Sequence, residues 1–283
     1  MAKQKREVEV VVLSDIHLGT YGCHAKELVA YLKSVSPKVL ILNGDVIDGW
    51  AFSKRYFPNS HMAVLSEFFK MMKKGTQVIY ITGNHDEFLR KYTDLSMGNL
   101  FLTDKYLLEI EGKKHWIFHG DVFDHTTSGS AKFIAKLGGM GYDWLILVNR
   151  AINWILEKFG KGKVSLSKKV KNSVKKAVKF IGDFEKKATE IAINNHYDYV
   201  ICGHIHQPAD KIWTTEKGSV HYLNSGDWIE NLSWLEYNHG EWSLKFFNEK
   251  DFEKPIIEKN DISVNMEELI HPKVFAEFAT QKV

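Results

Sequence analysis

Five short segments of this 283-residue chain carry the side chains that hard or borderline divalent cations prefer. Asp15 and His17 stand in Ser14-Asp15-Ile16-His17, Asp45 follows Asn43-Gly44, and Asn84, His85 and Asp86 run together behind Gly83. His119 precedes Gly120-Asp121, while His204 and His206 repeat the one-residue spacing after Gly203. Carboxylates, imidazoles and an amide carbonyl suit manganese, iron, magnesium or zinc, and a pair of ions needs about six to eight such donors at one point. Such a pair supports metal-assisted hydrolysis, of phosphoesters among other bonds. Two cations about 3.5–4 Å apart hold a bridging hydroxide in line with phosphorus, lower its pKa and neutralise the transition-state oxygens, so that no protein nucleophile is needed.

Each fragment alone reads as a turn, since Asp-x-His and Gly-Asn-His-Asp are ordinary loop chemistry and a lone His119 would be a satisfied, partly buried imidazole. Their conjunction does not, because every segment follows a stretch that reads as a strand. Val8 to Leu13, Lys38 to Leu42 and Gln77 to Thr82 are aliphatic runs expected to be buried strands. Between them His24 to Val35 and His61 to Lys73 repeat apolar residues at helical spacing, which gives βαβ units with right-handed crossovers. Further strands are expected at Tyr106 to Ile110, Trp116 to His119, Tyr199 to Cys202, Val220 to Asn224, Leu232 to Tyr237 and Trp242 to Phe246. The reading is a layered α/β sandwich of two sheets with donors at the carboxyl ends of strands, where such folds put their sites. The one-residue spacing of Asp15 and His17 sends both side chains one way if the strand geometry persists. Glycine flanks the donor in four segments, as expected where backbone turns tightly beside a ligand.

A hydrophobic fraction of 44% supports a large core. No apolar segment with a cleavage site intervenes between Met1 and Val8, so the expectation is a cytoplasmic protein. Two cysteines, Cys23 and Cys202, far apart, suggest neither a disulfide framework nor a thiolate zinc site.

The formal charge of +3 is unevenly spread. From His125 to Lys187 fourteen Lys or Arg face four acids, a net +10 that leaves −7 for the rest of the chain. Two helices are expected there, Tyr142 to Phe159, apolar nearly all round, and a second with Leu166, Val170, Val174, Ala177, Val178 and Ile181 on one face. Lys168, Lys169, Lys171, Lys175, Lys176 and Lys179 occupy its other face. This is a helical hairpin inserted between strands. Lysines could meet nucleic-acid phosphates, but the apolar surface with Trp144, Ile152, Trp154 and Phe159 suits acyl chains or an anionic membrane surface better.

The ordered set Asp15-x-His17, Gly44-Asp45, Gly83-Asn84-His85-Asp86, His119-Gly120-Asp121 and Gly203-His204-x-His206 resembles the calcineurin-like metallophosphoesterases over roughly residues 8 to 240. The resemblance implies a four-layer α/β/β/α sandwich in which Asp15, His17 and His206 hold one metal, Asn84, His119 and His204 the other, and Asp45 bridges them. It also implies that His85 assists the leaving group and that Asp86 orients it. Within the superfamily the chain resembles the UDP-2,3-diacylglucosamine pyrophosphohydrolases of lipid A synthesis. The residues that carry this are Gly44 to Trp50, Asn172-Ser173-Val174-Lys175 and Gly226-Asp227-Trp228, and it implies Trp50, Asn172 and Lys175 as substrate contacts. Typical members have Arg where this chain has His85.

The expectation is therefore a manganese-dependent phosphoesterase or pyrophosphohydrolase domain over residues 1–250, with a lid over 125–187 and a tail over 251–283. Its substrate is expected to be UDP-2,3-diacylglucosamine or a related lipid-linked or nucleotide diphosphate, with peripheral membrane contact through residues 132–179. The alternatives are a soluble phosphodiesterase or phosphatase acting on nucleotides or nucleic acid, and a metal-containing binding protein without turnover.

Overall fold

The computed structural model describes residues 5–49, 56–126 and 166–252. Trp50, the expected helix over 142–159 and the tail beyond residue 252 lie outside these. The described chain forms a seven-stranded sheet of order β12-β11-β1-β2-β3-β5-β4 and a five-stranded sheet of order β6-β7-β8-β10-β9. In the first, β1 (Arg6–Leu13), β2 (Val35–Asn43), β3 (Gln77–Ile81) and β5 (Leu100–Thr103) are parallel neighbours. Antiparallel β4 (Ser96–Met97) closes one edge, and β11 (Ser233–Asn238) with β12 (Glu241–Phe246) the other. The second sheet sets β7 (Lys113–Phe118), β8 (Tyr199–Cys202) and β10 (Gly218–Asn224) parallel, flanked by antiparallel β6 (Lys105–Ile110) and β9 (Ala209–Thr215).

The alternation of side chains along each strand produces three cores and hence four layers. Val11 and Leu13 of β1, with Leu40 and Leu42 of β2, point outward onto α1 (Ala25–Ser34) and α2 (Asn59–Lys73). Val10, Val12 and Ile41 point the other way and meet Ile117, Ile201 and Leu223 of the second sheet. The opposite face of that sheet, through Phe118, Val200, Cys202 and Tyr222, packs on Phe184, Ala188, Ala192 and Ile193 of α3 (Leu166–Asn194). The order α/β/β/α is thus observed. Arg6 pins the first core with a bidentate pair to Glu236 at 2.7 and 2.8 Å, and Tyr31 and Trp234 donate to the same carboxylate.

Three departures from the sequence reading have local causes. β2 begins at Val35, directly after α1, because Pro37 cannot donate to a helix and drives Ser36 into extended backbone. β9 was absent from the expected strands because it is an edge strand whose residues are mostly exposed, leaving no apolar alternation to read. The helix expected over Leu166 to Ile181 continues to Asn194. A Cβ at Gly182 would meet nothing within 4 Å, so the glycine neither marks a close contact nor ends the helix. Beyond it Phe184, Ala188 and Ala192 recur every four residues as a buried stripe. Residue 187 therefore lies inside one continuous helix whose second half packs on the sandwich.

Candidate metal centre

The sandwich delivers all five segments to one end, since β1, β2, β3, β7 and β8 terminate immediately before them. The loops after β1 and β2 are zipped together by Asp15 N donating to Gly44 O, His17 N to Asp45 O and Leu18 N to Val46 O. Asp15 and His17 do not continue the strand. Both have positive φ, 51° and 54°, as do Asp45 at 53°, His204 at 68° and His206 at 52°. Left-handed backbone is uncommon for side chains of this kind and concentrates at functional sites. Asp15 and His17 share a direction because of these paired left-handed turns, with Ile16 buried between them, and not because extended geometry persists.

Close approach explains two of the glycines. A Cβ on Gly203 would stand 2.7 Å from Asp15 Oδ2 and 2.8 Å from Ser14. One on Gly44, whose φ is +78°, would strike the His119 ring.

Among the described residues three groups of donors have ligand atoms within 4.8 Å of one another: His17 with Asp48 and His85, and two that line the centre, Asp15 with His17 and His206, and Asp45 with His119 and His204. Asp45 Oδ2 faces both, 3.9 Å from His17 Nε2 and 3.3 Å from His119 Nε2. Asp15 Oδ1, His17 Nε2, Asn84 Oδ1 and His119 Nε2 are buried without a hydrogen bond. Polar atoms orphaned in this way are costly unless something satisfies them, and a cation is what this donor set would accept. The residues therefore fit divalent metal.

The opposite imidazole nitrogens are held from behind. His17 Nδ1 lies 3.1 Å and His85 Nδ1 2.9 Å from Asp48 Oδ2, His119 Nδ1 2.8 Å from Asn43 O, and His206 Nδ1 3.6 Å from Asp227 Oδ2. At His17, His119 and His206 a carboxylate or carbonyl at Nδ1 fixes the tautomer and turns the Nε2 lone pair to the centre. Asp227 is itself fixed by the backbone N–H groups of Ile229, Glu230 and Asn231. Asp48 and Asp227 were given no role by sequence reasoning. Their signal was an acidic residue inside the Gly44 to Trp50 segment and another behind Gly226. Asp86, expected to orient His85, instead accepts from Gly83 N, Val46 N and Tyr80 Oη, so it braces the loop while Asp48 holds the imidazole.

The electrostatics favour cations. Burial would raise Asp15, but the imidazoles of His206 and His119 bring it down to about 2. Asp45, likewise opposed by burial, is held well below the usual carboxylate range by His119, His17 and His85. Burial lowers His206, yet Asp15 and Asp227 outweigh it and raise the imidazole to about 9. His119 and His85 are also raised against burial, by Asp45 and Asp15 for the former and chiefly by its Asp48 bond for the latter. His85, with a side chain 24% exposed beside a fully buried His119, opens toward solvent. Asn172 and Lys175 fall on the first turns of α3, at positions whose side chains lie outside the described residues.

This sandwich, with donors of this kind at the meeting edge of its two sheets, matches a family model for calcineurin-like phosphoesterases over residues 8–208, and the chain belongs to that family. It is a metal-dependent hydrolase. Among curated proteins it is similar to the UDP-2,3-diacylglucosamine hydrolase of Aliivibrio fischeri (strain MJ11), 24% identical over 239 residues, 83% of this chain and 97% of that protein. The UDP-2,3-diacylglucosamine hydrolase of Blochmanniella pennsylvanica (strain BPEN) is 25% identical over 239 residues, 82% of this chain and 92% of that protein. A solved archaeal phosphodiesterase is 14% identical with a TM-score of 0.40, covering 84% of this chain and 98% of that one. Among the described residues no helix is long and apolar enough to cross a membrane.

Proposed function

We propose that the chain is a two-metal pyrophosphohydrolase acting on UDP-2,3-diacylglucosamine or a related lipid-linked or nucleotide diphosphate. The observation that carries the reading is the set of buried donors without hydrogen bonds, divided between two groups that Asp45 faces together. Asp15, His17 and His206 would hold the first metal, Asn84, His119 and His204 the second, and Asp45 would serve both. When bound, the pair, manganese for so oxygen- and imidazole-rich a donor set, supplies a water of lowered pKa and neutralises charge developing on the phosphoryl oxygens.

The chain's own part begins with His85. Held at Nδ1 by Asp48, which raises its pKa against burial, the imidazole donates from Nε2 to the leaving oxygen as negative charge develops there. Asp86 keeps the Gly83 to Asp86 loop in place for this. Trp50, Asn172 and Lys175 contact the substrate, and the insert over 125–187 covers its acyl chains while lysines of α3 meet anionic head groups at the cytoplasmic face of the membrane. Similarity over most of the chain to proteins described as UDP-2,3-diacylglucosamine hydrolases supports the substrate class, as does the net +10 of the 125–187 window.

The test is metal analysis after reconstitution with manganese, joined to a product panel of UDP-sugar lipids, nucleotide diphosphates and phosphodiesters. Two equivalents of metal, turnover of a diacylated UDP-sugar, and loss of turnover in Asp45→Ala are expected. Trace metal would remove the two-ion reading. Turnover of nucleotides or nucleic acid alone would favour the soluble phosphodiesterase instead.

A further inference from the structure

Asn84 and His119, assigned to the second metal above, stand on loops from different sheets, Asn84 three residues beyond β3 and His119 directly after β7. Among the described residues no backbone hydrogen bond joins their two segments. Side chains must therefore set the distance between them. At the end of β2 Asn43 holds the His119 segment, its carbonyl accepting from His119 Nδ1 and its Nδ2 donating to Phe118 O. The link to the Asn84 segment is made there by Asp45, which accepts from His85 N at 2.8 Å through Oδ1 and lies 3.3 Å from His119 Nε2 through Oδ2. At the end of β3 it is made by Arg90.

Arg90 lies in the 3-10 turn Glu87–Tyr92 that follows Asp86. One arm of its guanidinium donates to Asp121 Oδ2 at 2.7 Å, two residues past His119. Its Nε donates to Thr82 Oγ1 at 3.3 Å, two residues before Asn84, and lies 3.3 Å from Asp104 Oδ1. The Thr82 hydroxyl donates to the same Asp104 oxygen at 2.5 Å. Asp121 is 8% exposed and has lost most of its water, so the short charge-assisted bond from Arg90 satisfies a carboxylate that would be costly to leave alone. A planar fork with donors in fixed directions can hold two loops at a set separation in a way a flexible ammonium cannot.

We propose that Arg90 is a positioning residue for the second metal, acting by fixing the Asn84 segment against the His119 segment. The inference rests on the two-metal reading above. Arg90 touches none of the ligands of the first metal, so its loss should be felt by one ion of the pair.

The experiment is titration of the metal-free protein with Mn(II), followed by calorimetry and by electron paramagnetic resonance, in the parent, Arg90→Gln, Asp121→Asn, the double variant and Arg90→Lys. The parent should take up two ions and give a spin-coupled signal. Arg90→Gln and Asp121→Asn should bind the first ion as the parent does and the second about ten- to a hundredfold more weakly, the range for residues that hold metal ligands from behind. An isolated-ion signal should then dominate at intermediate metal. The double variant should be no weaker than Arg90→Gln, since that substitution already removes the contact to Asp121, and Arg90→Lys should recover part of the loss. Parallel weakening of both ions together with melting temperature would make Arg90 merely structural and overturn the proposal. So would a second ion bound as tightly as in the parent. A parent that takes up only one ion would sink the two-metal reading and this inference with it, whereas two ions in the parent and in Arg90→Gln alike would sink this inference alone.

Discussion

Asp48 Oδ2 lies 2.9 Å from His85 Nδ1, so the imidazole that opens to solvent is oriented by a carboxylate three residues after the one that faces both donor groups. Because the same oxygen also lies 3.1 Å from His17 Nδ1, it links a residue assigned to the reaction with one assigned to a metal.

His85→Ala should therefore lower turnover of a diphosphate substrate by about 10²- to 10⁴-fold, the range for a general acid, with metal content unchanged. Asp48→Asn should lower turnover and also weaken metal binding, since His17 loses its support. A p-nitrophenyl ester, whose leaving group needs little help, should suffer less from His85→Ala than a poor leaving group. Equal losses on both would exclude the acid role.

The metal-free protein should show a defined pH window. His206, raised from 6.5 to about 9 in the fold, contributes stability that is fully present below pH 6.5 and is lost as pH rises through about 9. Asp15, lowered from 3.8 to about 2, contributes stability present above pH 3.8 and lost as pH falls through about 2. Melting temperature of the metal-free chain should thus decline from pH 6.5 to 9, and Mn(II) should abolish the decline by taking the place of the His206 proton. Calorimetry at pH 8 in buffers of different ionisation enthalpy should record proton release on metal binding. A flat alkaline melting profile without metal would contradict the assigned burial of this pair.

Gly203→Ala should destabilise the chain by about 1–3 kcal/mol, the usual cost of overpacking, because the added methyl meets Asp15 Oδ2 and Ser14 within 2.8 Å. Gly112→Ala is the control for strain alone, since its φ of +73° is left-handed but a Cβ there meets nothing within 4 Å. Only Gly203→Ala should also reduce metal content. Equal metal content in the two variants would mean that the Asp15 loop yields to the methyl without moving its carboxylate.

Replacing residues 132–179 by a Gly-Ser linker should leave the sandwich intact, since the buried stripe of α3 begins at Phe184. Metal content and hydrolysis of a small ester should persist, while co-sedimentation with anionic liposomes and turnover of a diacylated sugar diphosphate should fall steeply. Each lysine removed costs on the order of 1 kcal/mol near an anionic leaflet. Undiminished liposome binding by the shortened chain would place the membrane contact elsewhere.

The sequence by itself determined which residues are candidates for the centre. Strands buried on both faces appear as aliphatic runs, and donors immediately after such runs must lie at the carboxyl end of a parallel sheet, so Asp15 and Asp45 on one sheet and His119 and His204 on the other were legible as candidates from type and position. The meeting of the two sheet ends was not. The tertiary structure decided how they are held. Whether Asp48 faces His17 and His85 depends on left-handed turns at Asp15, His17 and Asp45 that no periodicity encodes. Whether Asp86 or Asp48 orients His85 is a matter of which way one loop carboxylate points, and Gly83, Val46 and Tyr80 draw Asp86 away. The length of α3 was hidden for a related reason. Local spacing shows that a helix exists, but only the sheet beside it, receiving Phe184, Ala188 and Ala192, decides how far the helix runs.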